Sequence, residues 1–172
     1  MANAAHITRS TREKSFHYEL HVLRRAYVQL LQRIDDAVVA QRDLEFASHG
    51  QPRGVMDPSV SAFLRACEAA WDDVTDSMSA TMAAVTCVDD TYPLVGMAYA
   101  IREILAAECG AEFHNRIADA RRQIATICVR PEMSIVMKDC FQVLRATADR
   151  LTALDSLHIY ECGTRNDFDV SP

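Results

Sequence analysis

The residues with the clearest chemical potential are two histidines near the start of the chain, His17 and His21. Side chains four residues apart lie on one face of a helix, and two imidazoles in that geometry can bind one metal ion. The segment reads His-Tyr-Glu-Leu-His, so it lacks the HExxH order of zinc proteases. The pattern favours two partly exposed polar residues, and a metal site is the alternative.

A second group consists of Glu108, Glu112 and His114, which surround Gly110. A ferritin-like di-iron centre needs Glu-x-x-His pairs, and that spacing is absent here. Two carboxylates beside an apolar helix face repel each other unless an arginine, a shared proton or a cation matches them. We expect an arginine partner or an exposed position, and the alternative is a small-ligand or metal site at these three residues.

Four carboxylates form a row in the middle of the chain. Glu68, Asp72 and Asp76 are spaced four residues apart, and Asp73 lies beside them. Like charges at this spacing destabilise an isolated helix, so arginines of a neighbouring helix should compensate them. The candidates are Arg24, Arg25, Arg145 and Arg150. The alternative is a docking face for a basic partner.

Charge is unevenly distributed along the chain, whose formal net charge is −6. Residues 1–33 contain six basic and two acidic residues, whereas residues 57–112 contain ten acidic and two basic ones. The two regions should attract each other, within one chain or between chains. An acidic chain with only a short basic stretch is a poor candidate for binding nucleic acid, so we predict no nucleic-acid partner.

The sequence contains no motif of a known enzyme or cofactor site. A Walker loop, GxGxxG and GxSxG are absent, and the six cysteines lie too far apart for a CxxC clamp. We predict no cofactor, and an enzyme with a carboxylate and histidine site is the least favoured function. The chain has neither an apolar run of about 18 residues nor a hydrophobic signal segment, so we expect a cytoplasmic protein without a membrane partner.

Long helices are predicted to position these residues. Apolar residues recur at alternating steps of four and three, the rhythm of helices that pack along one stripe. The stripes extend over 16–44, 60–88 and 133–158, and their polar members are Gln41, Thr81, Thr147 and His158. With Gly and Pro confined to a few breaks, the pattern predicts helices over 12–47, 58–88, 92–128 and 131–161 and a loose tail over 164–172.

These elements predict a single all-α domain, 1–172, folded as an elongated bundle of about four long, mostly antiparallel helices. Short links force neighbouring helices to be antiparallel, but the longer connection over 48–57 leaves the topology open. The third helix loses its register around Gly110. We predict a kinked but continuous helix there, and the alternative is a split into two helices.

The function that this sequence predicts is a non-enzymatic helical interaction module. Helix 1 carries the apolar residues Val22, Val28, Leu31 and Val38 outside its main stripe, which widens its apolar face. Packing on two sides should follow, either inside one bundle or across a dimer. The expected partner is a second copy or another helical protein. The charged docking candidates are Glu68, Asp72, Asp73, Asp76, Arg24 and Arg25.

Overall fold

The computed structural model describes residues 3–49, 58–89, 92–127 and 132–157, with side chains described from Tyr18 onward apart from that of Ser59. Within these ranges the protein is all-α, which confirms the predicted fold class, and it contains five helices. They are α1 (Asn3–Ser48), α2 (Pro58–Val85), α3 (Pro93–Leu105), α4 (Gly110–Ala125) and α5 (Ile135–Asp155). None of these helices combines the length and the apolar character that a membrane-spanning segment needs.

The longest element is α1, with 46 residues and a length of about 69 Å at 1.5 Å per residue. Its predicted stripe is its buried side, because apolar side chains at alternating steps of three and four all face the core. The buried members are Leu20, Leu23, Tyr27, Leu30, Ile34 and Ala37. The helix begins earlier than residue 12, the predicted start.

The stripes of α2 and α5 are buried in the same way. Their buried members include Cys67, Val74, Met78 and Val85 in α2 and Cys140, Leu144, Leu151 and Leu154 in α5. The polar members are satisfied locally: the hydroxyl of Thr81 donates to the carbonyl of Ser77 at 2.8 Å, and that of Thr147 to the carbonyl of Val143 at 2.9 Å. His158 lies outside the described residues.

Helices α1 and α2 contact each other in opposite order along the chain. The thiol of Cys67 donates to the side-chain oxygen of Gln41 at 3.1 Å, and Arg33 lies 3.2 Å from the carboxylate of Asp73. Residues nearer the end of α1 therefore contact residues nearer the start of α2. This pair of helices shares the most extensive packing in the described part of the protein.

Helix α5 begins at Ile135 instead of 131 because Ser134 caps it. The hydroxyl of Ser134 accepts from the backbone N–H of Met137 at 3.3 Å, which satisfies one free donor of the first turn. Contacts between α1 and α5 follow the same order along both helices. They are Arg24 with Asp139, Asp35 with Arg150, and Arg42 with Ser156.

The prediction of a continuous third helix is wrong, because the chain leaves the helix after Leu105 and re-enters it at Gly110. Cys109 is extended and precedes the first residue of α4, and Gly110 is that first residue instead of a kink within a helix. Helix α3 starts beside α5's beginning, where Tyr92 contacts Cys140, and α4 starts beside α5's end, where His114 contacts Asp155. The end of α3 and the start of α4 thus lie beside the end of α5.

Candidate functional site

The predicted carboxylate pair does not act as a pair in the described structure. Glu112 lies in the first turn of α4, and one of its carboxylate oxygens accepts from the backbone N–H of Glu108 at 2.9 Å. The other oxygen lies 2.6 Å from the guanidinium of Arg116. Glu112 therefore satisfies a backbone donor at a helix start and is matched by an arginine, while the side chain of Glu108 is exposed.

Arg116 connects this helix start to the end of α3. Its guanidinium also donates to the backbone carbonyl of Glu103 and lies 3.8 Å from the Glu103 carboxylate. One cation thus binds two carboxylates and a carbonyl that the end of a helix leaves without an intrahelical donor. The arrangement stabilises the junction of α3 and α4.

His114 belongs to a separate cluster between α4 and α5. Its Nδ1 lies 2.7 Å from one oxygen of Asp155, and Arg121 lies 3.8 Å from the other oxygen. His114 is about half exposed. The three side chains can bind protons and charges, but no nucleophilic side chain among the described residues joins them by a hydrogen bond or an ion pair.

The predicted histidine pair falls only partly within the described structure. The side chain of His17 lies outside it, and His21 is exposed at the rim of a cavity of about 220 Å³ between α1 and α5. Leu20, Arg24, Val136 and Asp139 complete the lining. The described residues contain no group of three or more His, Cys, Asp or Glu side chains that could hold a metal ion.

The acidic row of α2 is exposed along its whole length. Asp73 is compensated by Arg33 of α1, an arginine that was not among the sequence candidates. Glu68, Asp72 and Asp76 form no ion pair with a described residue. The signal that could have identified Arg33 is the pairing register of α1 and α2, which a single sequence does not contain.

The two arginines predicted to dock a partner lie on different sides of α1. Arg24 lies 3.6 Å from Asp139 of α5, and its Nε is buried without a hydrogen-bond acceptor among the described residues. Arg25 is exposed, and it lines a shallow groove with Val28 and Gln32. Neither arginine pairs with a described carboxylate of the acidic row. The docking candidates therefore do not form one surface.

The widened apolar face predicted for helix 1 divides into a buried and an exposed part. Leu31 and Val38 are buried against the bundle, whereas Val22 and Val28 are exposed. Val39 and Phe46, which the sequence reasoning missed, are exposed on the same side of the helix as Val28. Val39 follows Val28 by 11 residues and Phe46 follows Val39 by 7 residues, and both steps return to the same side of a helix. This spacing could have identified the two residues in the sequence.

We call this surface the α1 outer face and define it by five exposed residues. They are Arg25, Val28, Gln32, Val39 and Phe46. Steps of three, four and seven keep them on one side of the helix. Three of the five are apolar, namely Val28, Val39 and Phe46, and Arg25 and Gln32 are polar.

The buried cysteines of the described residues are poorly suited to nucleophilic chemistry. Burial raises the pKa of the Cys67 thiol and that of the Cys140 thiol, because the low-dielectric core disfavours thiolate. Tyr92 lies 3.3 Å from the sulfur of Cys140, and burial raises the pKa of its phenol as well. The two thiols and the Tyr92 phenol therefore remain protonated at neutral pH and contribute to packing.

Comparison of the chain with protein-family models, with curated proteins and with solved structures gives no match.

Proposed function

We propose that the protein is a non-enzymatic helical assembly module that docks another helix on the α1 outer face. The observation that carries the proposal is the exposure of Val28, Val39 and Phe46, whose exposed fractions are 45%, 57% and 85%. One exposed apolar residue is ordinary on a protein surface. Three on one face, spread over about 27 Å of helix, offer a partner helix a line of apolar contacts.

The polar members of the α1 outer face support a helix as the partner. Gln32 lies between the apolar residues, and a polar residue within an apolar seam sets the register of two packed helices. Arg25 is exposed beside Val28 and favours a partner that brings a carboxylate to this end. The partner is a second copy of the chain or another helical protein.

The proposal includes an elongated bundle in which long helices present their outer faces. We infer from the order of contacts that α1 and α2 are antiparallel and that α1 and α5 run in the same direction. A cytoplasmic location remains an expectation from the sequence. The acidic row of α2 remains a predicted docking face for a basic partner.

Sedimentation or light scattering over a concentration series tests the self-association half of the proposal. We expect the average mass to rise above that of a monomer, and Val39→Glu to shift the protein to the monomer because it places a charge in the apolar line. Val22→Glu is the matched control, since Val22 is a similarly exposed valine on another side of α1. Circular dichroism should show that both variants remain helical.

A wild-type protein that stays strictly monomeric at high concentration would remove self-association from the proposal. Equal effects of Val39→Glu and Val22→Glu would show that the α1 outer face is not the contact surface. The ligand or metal site at Glu108, Glu112 and His114 remains a prediction from the sequence. No contact among the described residues favours it.

A further inference from the structure

Helix α1 packs against α2 and against α5 to different extents. Against α2 the packing is extensive. Along α5 the packing is much sparser, and open clefts of about 220 and 330 Å³ lie between the two helices, whereas one open cleft of about 230 Å³ lies between α1 and α2. Apolar side chains line both α1–α5 clefts, Leu20 and Val136 in the first and Leu31 and Val143 in the second. Incomplete packing of this kind forfeits contact energy.

Polar pairs cross this boundary at three levels. We call it the α1–α5 seam and define it by the pairs that cross it. They are Arg24 with Asp139 at 3.6 Å, Asp35 with Arg150 at 2.8 Å, and Arg42 with Ser156 at 3.0 Å. The four side chains of the two ion pairs are 30% to 45% exposed, so water reaches them. Ion pairs in that environment stabilise little and weaken as salt is added.

The interior of the seam also contains groups that water can satisfy. Arg24 Nε is buried without an acceptor among the described residues, and the hydroxyls of Tyr27 and Thr147 bond each other at 3.1 Å across α1 and α5. A buried donor without a partner destabilises the closed state, and water would supply its acceptor after opening. The hydroxyl pair opposes opening, because its direct hydrogen bond is lost and bonds to water replace that bond only in part.

We propose that α5 separates locally from α1 along the α1–α5 seam while α1 and α2 remain packed, and that salt promotes this opening. The proposal goes beyond the proposed function and does not require a partner on the α1 outer face, although Val28 and Gln32 of that face also line the second cleft. Local openings occur where apolar contacts are few and polar contacts are exposed. Opening uncovers Leu20, Leu31 and Val143, which are buried or line the α1–α5 clefts in the closed state.

Thiol labelling under native conditions, measured site by site by mass spectrometry, tests this opening. Val143→Cys places a reporter in the α1–α5 seam, and Val74→Cys places one in the buried stripe of α2. Asp35→Ala removes one cross-seam ion pair, and Asp73→Ala is the matched control because it removes the pair between α1 and α2. We expect Asp35→Ala to accelerate labelling at position 143 roughly twofold to fivefold.

The other measurements should separate seam opening from global unfolding. We expect labelling at position 74 to change little in Asp35→Ala, and labelling at position 143 to accelerate when salt is raised. The charge-exchanged variant Asp35→Arg/Arg150→Asp should return labelling at 143 towards its original rate.

Two outcomes would overturn the proposal. One is that both reporters respond to denaturant, salt and Asp35→Ala in parallel, because only global unfolding would then expose them. The other is that Asp73→Ala accelerates labelling at position 143 as much as Asp35→Ala does. Neither outcome bears on the concentration dependence of mass that tests the α1 outer face, so the two proposals fail separately.

Discussion

At the scale of single residues, the polar groups in the core specify how the helices meet. Tyr27 and Thr147 belong to the stripes of α1 and α5, and both are fully buried. The hydroxyl of Thr147 donates its only proton to the carbonyl of Val143. It therefore accepts a hydrogen bond from the Tyr27 hydroxyl, which lies 3.1 Å away. A hydrogen bond between two buried side chains fixes one register of the two helices more firmly than apolar contacts do.

Tyr27→Phe should lower the free energy of unfolding by about 1 kcal/mol, because it removes this hydrogen bond and leaves the ring in place. Urea unfolding at neutral pH measures the change. Tyr18→Phe is the control, since Tyr18 is exposed and its replacement should have no measurable effect. In a double-mutant cycle with Thr147→Val, the stability losses of the two single variants should sum to more than the stability loss of the double variant. Additive losses would contradict a direct interaction.

Residue identities could be predicted from the sequence only where they follow from local spacing. The buried positions of α1, such as Leu23 and Leu30, follow from the heptad steps alone. The ion pair of Arg33 and Asp73 could not be predicted, because it depends on which turn of α1 faces which turn of α2. That register is set by packing over the whole length of two helices, and several registers satisfy the same heptad pattern.

At the scale of elements, the break between α3 and α4 is the feature that sequence reasoning placed incorrectly. Residues 106–108 read Ala-Ala-Glu, which are good helix formers and carry no stop signal. The start signal of α4 is Glu112, three residues after Cys109, because a glutamate at that position can accept from backbone donors at a helix start. The sequence pattern predicts Gly110 as a kink within a continuous helix, and in such a helix Glu112 is not a start signal.

Glu112→Ala should destabilise the protein by about 1 kcal/mol, since it removes both an acceptor at the start of α4 and the partner of Arg116. Glu112→Gln should lower the free energy of unfolding by less, because the amide oxygen can still accept a hydrogen bond from the backbone. Glu108→Ala is the matched control: this side chain is exposed and should be close to neutral. Urea unfolding provides the values, and hydrogen exchange of the Glu108 backbone amide should accelerate in Glu112→Ala but not in Glu108→Ala.

Equal losses for Glu112→Ala and Glu108→Ala would contradict this assignment. They would show that the hydrogen bond and the ion pair of Glu112 stabilise the protein no more than an exposed glutamate does.

At the scale of the whole molecule, the break between α3 and α4 accounts for the order of the contacts between α1 and α5. Four alternating helices would end with the last helix opposite to the first, but contacts along α1 and α5 follow the same order. Helix α3 runs from Tyr92, beside Cys140, towards the end of α5 at Asp155. The chain must then return before α5 begins, and α4 with the following link supplies that return. The sequence could not predict this topology because it depends on the break.

The stability of the whole molecule should fall as pH rises above about 8.5, the range in which unfolded thiols ionise. Burial raises the pKa of Cys67 and of Cys140, so the folded protein retains protons that the unfolded chain loses. An unfolded state that binds fewer protons becomes more favourable as pH rises, and each group contributes a slope of up to about 1.4 kcal/mol per pH unit. Buried Tyr27, whose pKa burial also raises, should add to the decline above about pH 10.

Urea unfolding in a reducing buffer at several pH values between about 7.5 and 9.5 measures this slope. Cys140→Ala lowers the stability at every pH because it leaves a small cavity, but it should also flatten the decline, since one proton difference between the folded and unfolded states disappears. Cys87→Ala, which changes an exposed thiol, should leave the slope unaltered. A free energy of unfolding that stays constant or rises over this range would mean that the two thiols are ionised or wetted in the folded protein, and the packing described for α2 and α5 would then be incorrect.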